Sequence, residues 1–182
     1  VSPDEWDKDP VIARIKSKFD IKGQLIQGYD HPYLYLTNDI TNNPRIDLAA
    51  LETMIAKELV AFPGVSYAIP STSLERGTVP DNLLMRAALN NYNAARSGNI
   101  YVVFNPGWFI NDLDGLSVAV VHGSPWRYDT YVPIIFAGYG TRPQKVSRRV
   151  NTVDVAITLA TAVGTRPPSG AAGEVLLEVL GQ

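Results

Sequence analysis

The stretch VAVVHGSPWRYDTYVPIIFAGYG, residues 118–140, contains two short apolar runs separated by a polar turn. The first run, 118–121, ends directly at His122, and the second covers 133–136. Both runs are short and rich in β-branched residues, which favours buried strands over helices. His122 would then lie at the end of a strand, where α/β sheets usually place functional groups.

Upstream of this stretch, helix and strand patterns alternate. Apolar residues recur at three- and four-residue steps over 47–61, with Asp47 as a natural N-cap and Glu52 off the apolar stripe. A second helical pattern covers 82–95. Strand patterns occur at 24–36, where a break between two short strands fits a hairpin or a bent strand, at 65–69, and within SGNIYVVFNP, 97–106. The expected class is α/β (α+β), with a mixed, largely antiparallel sheet, helices packed on it, and a ferredoxin-like sandwich as one compatible arrangement.

The composition excludes several classes of protein. Hydrophobic residues form 46% and charged residues 19% of the 182 residues, which is ordinary globular usage and enough for one well-buried domain. The net charge is -2, with acids and bases interspersed, so no footprint for a nucleic-acid duplex exists. The chain contains no apolar run of about 18 residues, the length that a helix needs to span a bilayer. The chain has no cysteine and therefore no disulfide or thiolate metal site.

The polar residues do not complete an active site by themselves. A catalytic zinc needs about three protein ligands, and the chain offers two histidines, His31 and His122, with no short-spaced pair. His31 lies in the turn YDHPY, which is typical of a solvated histidine. His122 is either satisfied by the backbone of its Gly-Ser-Pro turn or available as a ligand. The spacing of the nearby aspartates, Asp112, Asp114 and Asp129, does not require them to join it.

Other chemistries find even less support in the residues. The chain has no GxSxG elbow, and Ser124 in HGSP has no evident base. The segment GYGTRP, 138–143, leads into a proline loop instead of a helix, so it is not a phosphate-binding loop. The basic cluster within 142–149 is typical of a solvated loop.

Taken together, HGSPWRYDTYVPIIFAGYG and the following VSRRVNTVDVAITLATAVGTRPPSG resemble the C-terminal segment of the alkaline phosphatase superfamily. The resemblance points to the type I phosphodiesterase and nucleotide pyrophosphatase-like branch and its single-chain phosphomonoesterase relatives. Their pattern is approximately HGSPYxYDTHVPLIFYGPG, followed by a TVDIAPTLAxxLG helix and a PPxGxxG loop. Upstream segments such as YLYLTNDI and FPGVSYAI match with less specificity, so the resemblance covers nearly all of the chain after about Gly23.

The resemblance implies a role for His122. In that family two zinc ions lie at the C-terminal ends of sheet strands, a Thr or Ser attacks the phosphoryl group, and the histidine of HGSP binds one zinc. Asp129 and Thr130 match the YDT of the pattern and are expected to order the loop. Tyr131 stands where many relatives have His, and Ile157 stands where many have Pro.

The resemblance also implies that the catalytic apparatus is incomplete here. The family's nucleophile and remaining metal ligands lie upstream of the matched region, so we expect a C-terminal fragment of a zinc-dependent phosphoric ester hydrolase that is inactive alone. The lack of an initiator Met fits a processed chain or an excised fragment. The alternative is a non-catalytic binding or assembly module that retains the fold.

Domain organisation, location and partners follow as further expectations. Residues 1–23 would form an N-terminal extension, 24–112 an inserted or cap-like subdomain, and 113–182 the C-terminal segment of the phosphatase-like domain. The family suggests a periplasmic or secreted protein that acts on a small phosphoric ester. An exposed sheet edge or apolar face would favour self-association.

Overall fold

The computed structural model describes residues 9–110, 121–138 and 140–181, and the chain divides into two compact units, Val1–Tyr131 and Val132–Gln182. The first unit contains α1 (Pro10–Lys18), β1 (Ile26–Asp30), β2 (Tyr33–Leu36), α2 (Asn38–Thr41), α3 (Leu48–Val60), β3 (Val65–Pro70), α4 (Ser71–Glu75), α5 (Leu83–Asn91), β4 (Ile100–Phe104) and α6 (Arg127–Thr130). The second unit contains α7 (Asp154–Ala162) and a 3₁₀ helix, Leu177–Leu180.

Within the described part of the first unit, the sheet has four strands in the order β1-β2-β4-β3, and all three pairings are antiparallel. This arrangement confirms the predicted mixed α/β class with a largely antiparallel sheet. The ferredoxin-like arrangement is not formed, because the first two strands are joined directly as a hairpin at His31 and Pro32 instead of through a helix.

The helices of the first unit cover both faces of this sheet. Alternating residues of a strand point to opposite faces, and Leu34 and Ile100 accordingly pack in a core with α1 and α3. Tyr33 and Tyr101 instead pack in a second core with α4 and α5. The unit therefore has three layers, and each fully buried Leu or Ile side chain contributes about 1.5–3 kcal/mol.

The helix α3 forms where the sequence predicts it. The Asp47 carboxylate accepts a hydrogen bond from the Ala50 amide at 3.0 Å, as expected of an N-cap. Leu51 and Ile55 are buried along the apolar stripe. After the helix, Gly64 adopts a φ of 91° and turns the chain into β3. The next predicted helix is shorter than expected, since α5 ends at Asn91 instead of near residue 95.

Within the second unit, Asp154 organises the start of α7. Its carboxylate accepts hydrogen bonds from the Asn151 amide at 2.7 Å and from the Glu174 amide at 2.9 Å. The Thr158 hydroxyl accepts a hydrogen bond from the Leu176 amide at 2.9 Å, which fastens the C-terminal segment to the helix. Among the described residues no side-chain hydrogen bond caps this helix at Val153, and the negative charge of Asp154 lies in the first turn, where the helix dipole favours it.

The two predicted apolar strands around His122 have different outcomes. The run 133–136 is not a strand, and the Ile135 side chain is 83% exposed. No strand of the described residues pairs with this run, and a strand needs a partner to be stable. In the run 118–121, residues 118–120 lie outside the described residues, and Val121 has no regular structure.

The predicted N-terminal extension contributes to the core. Ile15 on α1 is fully buried in the core that α1 and α3 form with one face of the sheet. The boundaries proposed for the larger domains, 24–112 and 113–182, concern the parent architecture and stay predictions. No described helix combines the length and apolarity that a bilayer span requires.

Candidate functional site

His122 is exposed in an irregular segment that leads into the single-turn helix α6. The next residue, Gly123, has a φ of 101°, a conformation that side-chain-bearing residues rarely adopt. This glycine reverses the chain directly after the histidine. The imidazole of His122 is therefore accessible on a turn whose backbone is sharply bent.

Hydrogen bonds fix the loop that carries His122 to the end of β4. The Trp126 indole N–H donates to the Phe104 carbonyl at 2.7 Å, and the Tyr128 hydroxyl accepts from the Gly107 amide at 3.1 Å. Within the loop, the Asp129 carboxylate accepts from the Ser124 amide at 2.9 Å. The predicted loop-ordering role of Asp129 agrees with this contact, which closes the turn after His122.

The carboxyl group of Asp129 favours its ionised form. The pKa of Asp129 is lowered first by the neighbouring Ser124 hydroxyl, then by the Ser124 amide, with the field of His122 as a further cause. The Ser124 hydroxyl is close to the carboxylate but makes no hydrogen bond of standard geometry, and it is buried without a partner among the residues that the structure describes. The amide contact is therefore the firm one, and it keeps a negative charge in the loop of His122.

The side chain of the other histidine, His31, is held in place by contacts with neighbouring aromatic residues. A hydrogen bond of 2.8 Å joins its Nδ1 to the Tyr29 hydroxyl, and its ring stacks on Phe104 with centroids 6.1 Å apart and an interplanar angle of 14°. Burial lowers the pKa of His31, against an opposing effect of Asp30. His31 thus lies in an exposed turn, as predicted, and its ring is held by aromatic contacts.

The described residues do not form a complete metal centre. No group of three or more His, Asp or Glu residues lies close enough together within 9–110, 121–138 and 140–181 to hold an ion. A catalytic zinc requires about three protein ligands, so the residues around His122 do not fit one by themselves. Asp112 and Asp114, two of the aspartates near His122 in the sequence, lie outside the described residues.

The basic cluster is a solvated surface, as the sequence predicts. Arg148 forms a bidentate ion pair with Glu178 of the 3₁₀ helix, and one of its two hydrogen bonds measures 2.9 Å. The other basic residues of the cluster are exposed.

Sequence reasoning missed the buried carboxylate of Glu52. It is fully buried and accepts four hydrogen bonds, from the Ser71 hydroxyl, the Thr72 amide and hydroxyl, and the Asn99 amide group, at 2.8–3.0 Å. The expectation that Glu52 lies off the apolar stripe is correct in register but misses its burial. The paired Ser and Thr after Pro70 are the available signal, because their hydroxyls need an acceptor when buried.

The first unit is thus an α/β unit in which a loop carrying His122 is fixed to the end of the sheet. No protein-family model matches the chain. A calcium-transporting ATPase of Myroides odoratus is 27% identical over 169 residues, which cover 93% of this chain and 30% of that protein. Alkaline phosphatase PhoV of Synechococcus elongatus is 28% identical over 143 residues, which cover 78% of this chain and 25% of that protein.

The third relative is alkaline phosphatase PafA of Elizabethkingia meningoseptica, 24% identical over 176 residues, 96% of this chain and 31% of that protein. A crystal structure of wild-type PafA superposes with a TM-score of 0.74, covering 92% of this chain and 31% of that chain. These matches confirm the resemblance to the alkaline phosphatase superfamily and show the fold. The chain spans between 25% and 31% of the length of these curated relatives.

Proposed function

We propose that this chain is the C-terminal part of a metal-dependent phosphoric ester hydrolase, in which His122 provides one zinc ligand. The observation that carries the proposal is the loop of His122, because it presents an exposed imidazole on a backbone fixed by Asp129 and Trp126. The alkaline phosphatase names of two relatives support the reaction class. The nucleophile and the remaining ligands would come from outside the matched region.

This chain would contribute the position of one metal ligand to the complete site. In a complete centre, zinc would stabilise negative charge on the oxygens of the phosphoryl group. The described residues supply the imidazole and hold its loop, and no step of hydrolysis is assigned to them alone. Outer contacts of this kind matter, since partners that orient a ligand commonly change metal affinity or activity by about 10–100-fold.

The finer features of the proposal rest on the resemblance. We place the parent in the phosphodiesterase and nucleotide pyrophosphatase-like branch, with a periplasmic or secreted location. Residues 24–112 would form its cap-like subdomain, and 113–182 would belong to the catalytic domain. The substrate is a phosphoric ester, with phosphomonoester and phosphodiester substrates to be distinguished by assay.

A graft into PafA tests this proposal. Residues 1–182 would replace the matched third of PafA, and the graft would be compared with its His122→Ala variant for zinc content and for hydrolysis of nitrophenyl phosphate and bis-nitrophenyl phosphate. We expect the graft to bind zinc and hydrolyse at least one ester. The variant should lose zinc and at least about 100-fold in activity, more than a residue that only orients a ligand.

The matched control is His31→Ala, because His31 belongs to the aromatic contacts of the β1–β2 turn. This variant should retain the zinc content and the activity of the graft. A folded, active graft that is insensitive to His122→Ala would contradict the proposal. A folded graft that neither binds zinc nor hydrolyses an ester would favour the binding or assembly module.

A further inference from the structure

A second candidate site lies in the first unit, away from the loop of His122. It is a polar cleft of about 370 Å³ between β2, α2, α4 and the segment 92–99. This volume falls in the lower part of the range of small-molecule sites, about 300–1,000 Å³.

The floor of the cleft is held rigidly by Glu52. Its carboxylate orients Ser71, Thr72 and Asn99, all of which line the cleft. Asn99 is fixed on its other side, where its carbonyl oxygen accepts from the Leu36 amide at 2.9 Å. The cleft is therefore formed before any ligand arrives, which lowers the entropic cost of binding.

The walls of the cleft present exposed polar side chains that are open to solvent. The side chains of Gln27, Asn38 and Glu75 line it without making a side-chain hydrogen bond there. Tyr92 also lines it, and burial followed by the fields of Glu75 and Glu52 raises the pKa of its hydroxyl. Tyr92 thus remains a neutral donor near the two carboxyl groups.

The charge of the cleft disfavours an anionic ligand. No Lys, Arg or His is among its described lining residues, while Glu75 lines it and Glu52 lies beneath it. A phosphate group would meet negative charge without a cation to compensate. We therefore do not expect the cleft to bind the phosphoric ester.

The remaining groups match a ligand with many hydroxyls. The cleft supplies amide donors and acceptors, a carboxylate acceptor, and parts of Tyr35 and Tyr92, whose half-buried rings also pack against the second core. A sugar ring offers hydroxyls that both donate and accept, and it carries apolar C–H faces that pack on aromatic rings. We propose that this cleft binds a neutral saccharide unit, independently of the hydrolase function proposed above.

Saturation-transfer NMR on the full 182-residue chain tests the proposal. The probes are maltose, cellobiose and N,N′-diacetylchitobiose at about 10 mM, which reveals dissociation constants in the millimolar range. We expect transfer to at least one sugar, with amide shift changes at Ser97 and Gly98, which border the cleft. Inorganic phosphate at the same concentration should neither displace the sugar nor shift these amides.

Variants distinguish specific from unspecific binding. Glu75→Ala and Asn38→Ala should each weaken binding by about 10-fold, the effect of one lost hydrogen bond to a charged or amide group. Asp39→Ala, a neighbouring exposed substitution outside the cleft, should leave affinity unchanged. Circular dichroism confirms that each variant is folded.

Three results would overturn the inference. The first is the absence of transfer to all three sugars. The second is binding that Glu75→Ala and Asn38→Ala leave unaltered, and the third is displacement of the sugar by phosphate. None of these results depends on zinc or on hydrolysis, so the hydrolase proposal stands or falls separately.

Discussion

At the residue scale, Glu52 is the side chain whose role differs most from its place in the sequence pattern. Its carboxylate joins α3 to α4 and to the residue that precedes β4, through donors on Ser71, Thr72 and Asn99. Removing the carboxylate would leave these half-buried donors without their acceptor. The cost of an unsatisfied buried donor is about 1–3 kcal/mol.

We predict that Glu52→Ala lowers the free energy of unfolding by about 3 kcal/mol or more, because several donors lose their acceptor together. Urea denaturation followed by circular dichroism measures the change. The control is Glu58→Ala on the same helix, where an ion pair with the exposed Arg14 is lost. That change should cost less than about 1 kcal/mol, and equal effects of the two substitutions would contradict the assigned role.

Gly64 is a second residue with a specific structural requirement. Its φ is 91°, and a Cβ atom there would lie 2.3 Å from the Trp108 ring. Gly77 also has a positive φ, 63°, but a Cβ at that position would meet open space. An alanine at either glycine would be strained in its backbone, but only an alanine at Gly64 would also overlap a neighbouring side chain. Comparing the two substitutions therefore distinguishes the two effects.

We expect Gly77→Ala to destabilise the chain by about 1 kcal/mol through strain alone. Gly64→Ala should cost about 1–3 kcal/mol more, because the Trp108 ring must move as well. Thermal unfolding of both variants gives the comparison. Similar losses of stability would show that the packing of Trp108 on Gly64 is not the constraint.

At the element scale, the secondary structure that sequence predicted well is local in origin. The helix α3 has its own N-cap and apolar stripe, so Asp47 and Leu51 suffice to identify it. The run 133–136 has an equally clear β pattern but is not a strand. A strand depends on a partner elsewhere in the protein, and no sequence window contains that information.

The N-cap of α3 provides a prediction for this scale. Asp47→Ala should destabilise the first unit by about 1 kcal/mol, since it removes the acceptor of the Ala50 amide. Asp47→Ser retains a capping oxygen and should restore most of the loss. Urea denaturation of the two variants checks this order, and an Asp47→Ser variant as unstable as Asp47→Ala would contradict it.

The start of α7 predicts a dependence on pH. The amides of Asn151 and then Glu174 lower the pKa of Asp154 below its usual value of 3.8. Because the pKa of Asp154 is lower in the folded state than in the unfolded state, its ionised carboxylate stabilises the fold at pH values above the unfolded pKa. This stabilisation is lost as the pH falls through the folded value.

A carbon-detected NMR titration of the Asp154 carboxyl group tests this dependence. We expect a midpoint below 3.8, with the Asn151 and Glu174 amide resonances titrating alongside it. The Asp154→Asn variant should abolish this titration of both amides. A midpoint at or above the usual value would show that the two hydrogen bonds are absent in solution.

At the scale of the whole molecule, the function could not be predicted from local chemistry. His122 alone permits a structural or a ligand role, and the resemblance of the whole block favours the ligand role, which stays a prediction. The relatives confirm that resemblance at the level of the superfamily. The polar cleft beside Asn38 and Glu75 was not predicted, because its walls come from segments far apart in sequence.

The central claim is that this chain contributes a metal ligand without completing a catalytic centre. The most direct test is hydrolysis of nitrophenyl phosphate by the isolated 182-residue chain in the presence of zinc. We predict no turnover above that of buffer, and no difference between the chain and its His122→Ala variant. Sustained zinc-dependent turnover that His122→Ala abolishes would contradict the claim.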